Sequence, residues 1–128
     1  MDNFVNYLNE SLLFRNFIEV LGGLDNTLLL LVISLPIGFV LSLVFALGRV
    51  SKNKLISKTI ASYIFVIRGT PLLVQIYLIY FGLGSIKFIR DSFLWYLLEE
   101  PFWCGVLALT INTVAYGSEI FRGGIQSI

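Results

Sequence analysis

The residues whose chemistry stands out in this chain are a few polar side chains within long apolar stretches. Asn112, Tyr116 and Glu119 follow the apolar stretch that begins at Phe102, and Gln75 lies in another such stretch. Polar groups cost a few kcal/mol at the centre of a bilayer, so they usually face protein or water. Their predicted chemistry is recognition through hydrogen bonds or charge, and we take these four residues as candidates for a substrate pathway.

The candidates in the last apolar stretch share one face of a helix, because they follow steps of three, four, four and three residues. The residues of this face are Gly105, Ala108, Asn112, Tyr116 and Glu119. Small residues allow a second helix to approach closely, and the polar groups need partners that lipid cannot supply. The face is therefore predicted to meet a partner helix or a cavity, with helix packing alone as the alternative. For Glu119 the alternative is an ion pair with Arg122, three residues further on.

The segment Arg68-Gly-Thr-Pro71 interrupts the apolar region that contains Gln75. Proline has no N–H group and its ring clashes with the preceding turn of a helix. Backbone at such a break can present carbonyl or amide groups to a solute, although a simple kink is the alternative. Arg68 is predicted to anchor the break, by donating to freed carbonyls or by extending to lipid headgroups. Arg68, Gly69, Thr70 and Pro71 are thus assigned to a helix break and its anchor.

The composition indicates neither catalysis nor a metal site. The chain has no histidine, one cysteine (Cys104) and no G-x-x-x-x-G-K-[ST] phosphate-binding loop. A net charge of +1 without a basic block argues against a nucleic-acid partner. We therefore predict that the chain is not an enzyme and holds no metal or cofactor.

Membrane helices must position these residues, because 57% of the chain is hydrophobic and 13% is charged, with the apolar residues in long runs. The predicted crossings are Thr27 to Leu47, then Leu55 or Ile60 to about Leu83 with the break inside it, and Phe102 to about Ile120. Each is close to the roughly 20 residues that a helix needs to cross the hydrocarbon. The predicted fold is an all-α integral membrane protein with three transmembrane helices.

The distribution of charge predicts the orientation. Arg49, Lys52, Lys54 and Lys58 follow the first crossing without an acidic residue, whereas the first 25 residues hold four acids and one base. The positive-inside rule then places the Arg49–Lys58 loop in the cytoplasm and the N-terminus outside.

The remaining segments follow from this orientation. Residues 1–26 are predicted to be an external segment, with a short amphipathic helix over residues 3–20 that lies on the membrane surface. Residues 27–128 form the membrane domain, in which residues 82–101 are an external loop.

Two segments resemble a known family. The first reads Arg68-Gly-Thr-Pro-Leu-Leu-Val-Gln75 and continues into Tyr77-Leu-Ile-Tyr-Phe-Gly82, and the second runs from Leu107 to Ile128. Both are similar to segments of the polar amino-acid ABC importer permeases, the family of histidine, glutamine and arginine permeases. The stretch from Leu94 to Cys104 resembles the arginine branch in particular.

The resemblance implies that the chain is the N-terminal part of a five-span permease domain in a bacterial inner membrane, incomplete at its C-terminus. It implies alternating access for import of a polar amino acid, arginine or another basic one. Arg122, Gly123, Gly124 and Gln126 would then lie on the approach to a cytoplasmic coupling loop.

The implied partners are a second permease subunit in a homodimer or heterodimer, an extracytoplasmic amino-acid-binding protein and two cytoplasmic ATPase subunits that hold ATP and Mg. The residues by themselves leave two alternatives open, a secondary transporter or channel fragment and a non-transporting membrane scaffold.

Overall fold

A computed structural model describes all 128 residues and contains helices joined by short turns, without a strand. The elements are α1 (Asp2–Gly22), α2 (Leu24–Arg49), α3 (Lys54–Arg68), α4 (Leu72–Tyr77), a π-helical segment (Leu78–Gly82), α5 (Leu83–Ser85), α6 (Lys87–Arg90), α7 (Leu94–Leu98) and α8 (Pro101–Ser127). The all-α prediction is confirmed.

The two N-terminal helices form one continuous helix of 48 residues, Asp2–Arg49. Gly23, between them, has helical dihedral angles (φ −83°, ψ −9°), and Thr27 N donates to its carbonyl oxygen. No side chain of α1 is buried. The helix expected over residues 3–20 is therefore present, and its location on the membrane surface stays a prediction.

The core of the fold is the contact between α2 and α8, which we call the seam. Small buried residues recur at every fourth position of α2, so they form one stripe along the helix. They are Ser34, Gly38, Ser42 and Ala46. A Cβ atom at Gly38 would lie 2.7 Å from Thr113 Cγ2, and a Cβ atom at Gly117 would clash with Ser42 Oγ. The two helices therefore approach so closely that only glycine fits at these two positions.

Contacts along the seam show that α2 and α8 run in the same direction. Position 105 faces Leu30, Thr113 faces position 38, and position 117 faces Ser42. Residue numbers on the two helices thus rise together. Buried hydroxyl groups on α2 are satisfied within their own helix, because Ser34 Oγ and Ser42 Oγ each donate to the carbonyl four residues earlier, at 2.6 Å.

The second apolar region is a helix pair, α3 and α4–α5, that bends by 106° at the break before Leu72. Its first end lies beside the last turn of α2, where Arg49 Nη1 donates to Ser57 Oγ at 3.1 Å. Towards its second end, Tyr80 lines a cavity with Pro101 and Cys104, at the start of α8. Because α2 and α8 are parallel, the bent pair connects opposite ends of the seam.

The helices Asp2–Arg49 and Pro101–Ser127 are long and apolar enough to cross a membrane, and the bent pair makes a third crossing if it counts as one span. The last helix is longer than predicted, since α8 continues past residue 120 to Ser127.

The segment over residues 82–101 was predicted to be a loop, and it contains helical turns instead. Arg90 donates from Nε and Nη2 to the Gly84 carbonyl oxygen at 3.0 and 2.6 Å, and Trp95 packs against Gly84. These turns are too short to give a periodic apolar pattern, so periodicity could not reveal them.

Candidate functional site

Side chains satisfy the carbonyl groups at the helix break. Gln75 is buried, with 5% of its surface exposed, and its Nε2 donates to the carbonyl oxygens of Ile67 and Thr70, both at 2.9 Å. Thr70 Oγ1 donates to the carbonyl oxygen of Val66 at 2.8 Å. The last carbonyls of a helix have no intrahelical partner, so these bonds replace those that the break removes.

The polar face of α8 meets this break. Asn112 Nδ2 donates to Gln75 Oε1, and Tyr116 Oη donates to the carbonyl oxygen of Arg68, each at 3.4 Å. Both distances are at the long limit for hydrogen bonds, so these contacts are weak. We call the break over residues 68–71 together with Gln75, Asn112 and Tyr116 the polar junction.

The face predicted on α8 is divided between two neighbours. Its first member, Gly105, faces Leu30 of α2 across the seam. Asn112 and Tyr116 instead meet the broken helix. The prediction that the face meets both a partner helix and a polar site therefore describes its two halves.

Arg68 does not use its guanidinium on the freed carbonyls, which accept hydrogen bonds from Gln75 and Tyr116. Its Cζ lies 5.5 Å from the centroid of the Tyr116 ring, a distance at which a cation interacts with an aromatic face. The contact between Arg68 and Tyr116 thus joins α3 to α8 through both backbone and side chain.

Glu119 and Arg122 form the ion pair that was the alternative to a pathway role. Arg122 Nη2 donates to Glu119 Oε2 at 2.6 Å, and Arg122 Nη1 donates to Gln126 Oε1 at 3.1 Å. Gly123 and Gly124 follow in the same helix, where an added Cβ atom would meet nothing within 4 Å. The role of this segment as the approach to a coupling loop stays a prediction.

A cavity of about 440 Å³ opens next to the polar junction. Its charged lining residues are Arg49, Arg68, Glu119 and Arg122. Sequence reasoning used Arg49 only as a topology signal, because nothing in its spacing predicts that the end of α2 lies beside Arg68 and Glu119.

A second residue that sequence reasoning missed is Tyr63, whose hydroxyl donates to the Ile111 carbonyl oxygen at 2.6 Å and links α3 to α8. A tyrosine within an apolar segment is a signal for such a hydrogen bond, because a buried hydroxyl usually has a partner.

Known proteins share this sequence and this arrangement of helices. The chain is 47% identical over 122 residues to the nopaline transport system permease protein NocM of Agrobacterium fabrum, which covers 94% of the chain and 51% of that relative. A solved structure described as an amino acid ABC transporter with histidines superimposes with a TM-score of 0.73 at 40% identity, covering 91% of the chain and 50% of that structure's chain. Over the residues it contains, this chain belongs to the polar amino-acid ABC transporter permeases.

Another relative in this permease family is the arginine ABC transporter permease protein ArtM of Haemophilus influenzae, 39% identical over 91% of the chain and 52% of that relative. The chain spans about half the length of the curated relatives it matches. No family model matches it. The resemblance seen in the two sequence segments is thus confirmed by relatives that match along more than nine-tenths of the chain.

Proposed function

We propose that this chain is part of the membrane-spanning permease subunit of an ATP-driven importer for a polar amino acid. The single observation that carries the proposal is the match along the chain to permeases named for amino-acid transport systems. Arginine or another basic amino acid is the first candidate substrate, since one relative is named as an arginine permease. The permease itself is not the enzyme, and ATP and Mg belong to a separate ATPase subunit.

The polar junction supports a role in alternating access. Its helix break is stabilised by side chains of Gln75 and of α8 rather than by backbone hydrogen bonds of one continuous helix. Exchanging these partners changes the angle between α3 and α4 without breaking either helix. A discontinuous helix beside polar groups is a recurring arrangement at transport sites. In this proposal Gln75, Asn112, Tyr116 and Glu119 face the substrate pathway.

The proposed assembly follows the family. It contains a second permease subunit in a homodimer or heterodimer, two cytoplasmic ATPase subunits and an extracytoplasmic amino-acid-binding protein. The complex lies in a bacterial inner membrane, in contact with lipid and with no nucleic acid. The N-terminus lies outside, the Arg49–Lys58 loop lies in the cytoplasm, and residues 122–126 lead toward the ATPase.

In the proposed topology the bent pair counts as the second of three crossings in residues 27–128, within a five-span permease domain. Supporting this, the bent pair begins beside the end of α2 and reaches the start of α8, the opposite end of the seam.

The test is uptake by the full-length complex in proteoliposomes, with the variants Asn112→Ala and Glu119→Ala. We expect uptake of labelled arginine that requires ATP, and a severalfold loss in each variant because a polar group is removed from the pathway. Matched controls are Asn6→Ala and Glu10→Ala, which remove the same side chains from exposed positions of α1.

Other outcomes separate the alternatives. Uptake driven by an ion gradient without ATP would identify a secondary transporter, and binding without flux would identify a scaffold. Wild-type uptake by both Asn112→Ala and Glu119→Ala would remove these two residues from the pathway.

A further inference from the structure

The cavity beside the polar junction has an excess of positive charge. Three arginines and one glutamate line it, so its formal charge is +2. The lone carboxylate is already engaged, because Glu119 forms an ion pair with Arg122. The remaining charge therefore belongs to Arg49 and Arg68.

Neither Arg49 nor Arg68 has an acidic partner, since the two ion pairs of the structure are Arg15–Glu19 and Glu119–Arg122. Arg49 donates from Nη1 to Ser57 Oγ, while its Nε is buried and has no hydrogen-bond partner. Buried polar atoms without a partner are rare, and an absent ligand is one of the usual reasons. The Arg68 guanidinium rests over the Tyr116 ring, which leaves its N–H groups available to a ligand.

The size and walls of the cavity suit a small ligand. Its volume of about 440 Å³ is within the range of small-molecule sites, roughly 300–1,000 Å³. Ala61, Ile64 and Phe65 give it an apolar wall opposite the charged groups. Arginine is suited to planar oxyanions because its guanidinium offers paired N–H donors that match two oxygens.

We infer that this cavity is an oxyanion-binding site in which the guanidinium groups of Arg49 and Arg68 hold a carboxylate or a phosphate group. Two sources carry that chemistry, the carboxylate of an amino-acid substrate and the phosphate of an anionic phospholipid. Basic pockets between membrane helices are known to take such headgroups. The site does not depend on transport, because an oxyanion binds there without ATP or flux.

The experiment measures binding to the purified full-length complex without ATP, in two arms. The first arm compares arginine with agmatine, which keeps the guanidinium group and lacks the carboxylate. The second arm compares how strongly phosphatidylglycerol and phosphatidylcholine are retained, measured by native mass spectrometry. The variants are Arg49→Gln with Arg68→Gln, and the control is Lys54→Gln, a cation outside the cavity lining.

A preference of about tenfold or more for the anionic probe is expected in one arm, as two charge-assisted contacts would give. The double glutamine variant should lose that preference and Lys54→Gln should keep it. Loss in the arginine arm assigns the site to a substrate carboxylate, and loss in the lipid arm assigns it to a headgroup phosphate.

The inference is overturned if neither arm discriminates in the wild type, or if the double variant discriminates as well as the wild type. A double variant that fails to fold is replaced by Arg49→Lys with Arg68→Lys. This variant keeps both charges but loses the paired donors. Its binding should be weaker than wild type for the same anionic probe, and equal binding would also overturn the inference. Uptake measured separately on the same preparation shows whether the proposed function stands.

Discussion

The seam between α2 and α8 and the polar junction between α3, α4 and α8 hold the same helix in opposite ways. At the seam, α8 meets a stripe of small buried residues with glycine at the closest points. At the junction, it meets a broken helix through two hydrogen bonds of 3.4 Å, one of them at the exposed Tyr116. The first contact depends on shape, and the second depends on exchangeable polar partners.

The difference shows how one helix can be both fixed and adjustable. Close contact between backbones leaves no alternative packing, because a shift of one helix would make small residues collide with larger ones. Weak polar contacts can be replaced by water or by a ligand at little cost. We therefore expect α2 and α8 to move as one body, and α3 and α4 to move relative to it.

The strongest way to break this comparison is Gly117→Leu at the seam. The added side chain occupies the space of Ser42, so it should destabilise the protein by about 1–3 kcal/mol or prevent folding. The measurement is denaturant unfolding of the purified full-length protein in detergent. Gly22→Leu is the control, because an added Cβ atom there meets nothing within 4 Å. Equal stability of the two variants would show that the seam is not closely packed in the membrane protein.

The next largest effect is expected from Gln75→Leu at the junction. This change keeps a buried side chain of similar size but leaves the Ile67 and Thr70 carbonyls without their donor. An unsatisfied buried polar group costs about 1–3 kcal/mol, so the same unfolding assay should detect the loss. Gln126→Leu, at an exposed position, should change stability by less than about 0.5 kcal/mol. If Gln75→Leu behaves like this control, water or other groups satisfy the break.

The smallest effect should come from removing single hydroxyl groups, and it sharpens the comparison within α3. Tyr63→Phe removes a 2.6 Å hydrogen bond to α8, whereas Tyr116→Phe removes one of 3.4 Å at an exposed residue. We expect a loss of about 1 kcal/mol for Tyr63→Phe and about half of that or less for Tyr116→Phe. The reverse order in unfolding experiments would mean that the junction contact is the stronger of the two.

The sequence predicted the elements better than their contacts. Long uncharged runs predicted α2 and α8, and Gly-Thr-Pro71 predicted where the second region breaks, because these features depend on local chemistry. The stripe of small residues on α2 escaped notice, although Ser34, Gly38 and Ser42 repeat every four residues as the face on α8 does. Periodicity shows that a face exists, and it does not show which helix covers it.

The site was predicted in part for the same reason. Gln75, Asn112 and Tyr116 stood out because amide and hydroxyl groups are rare within apolar helices. The structure brings these three together. Arg49 could not be placed in the cavity, since its position there depends on the turn between α2 and α3 and on the register of α2 against α8. Such long-range geometry has no signature in the spacing of residues.

The continuous helix Asp2–Arg49 is a lever with its pivot at the seam. At 1.5 Å per residue it is about 72 Å long, more than twice the roughly 30 Å of hydrocarbon. The 36 residues between Asp2 and Gly38 give an arm of about 54 Å, so a tilt of about 10° at Gly38 moves the free end by about 9 Å. Small rotations of the packed helices are therefore amplified at the N-terminal end, where a spectroscopic label would report them best.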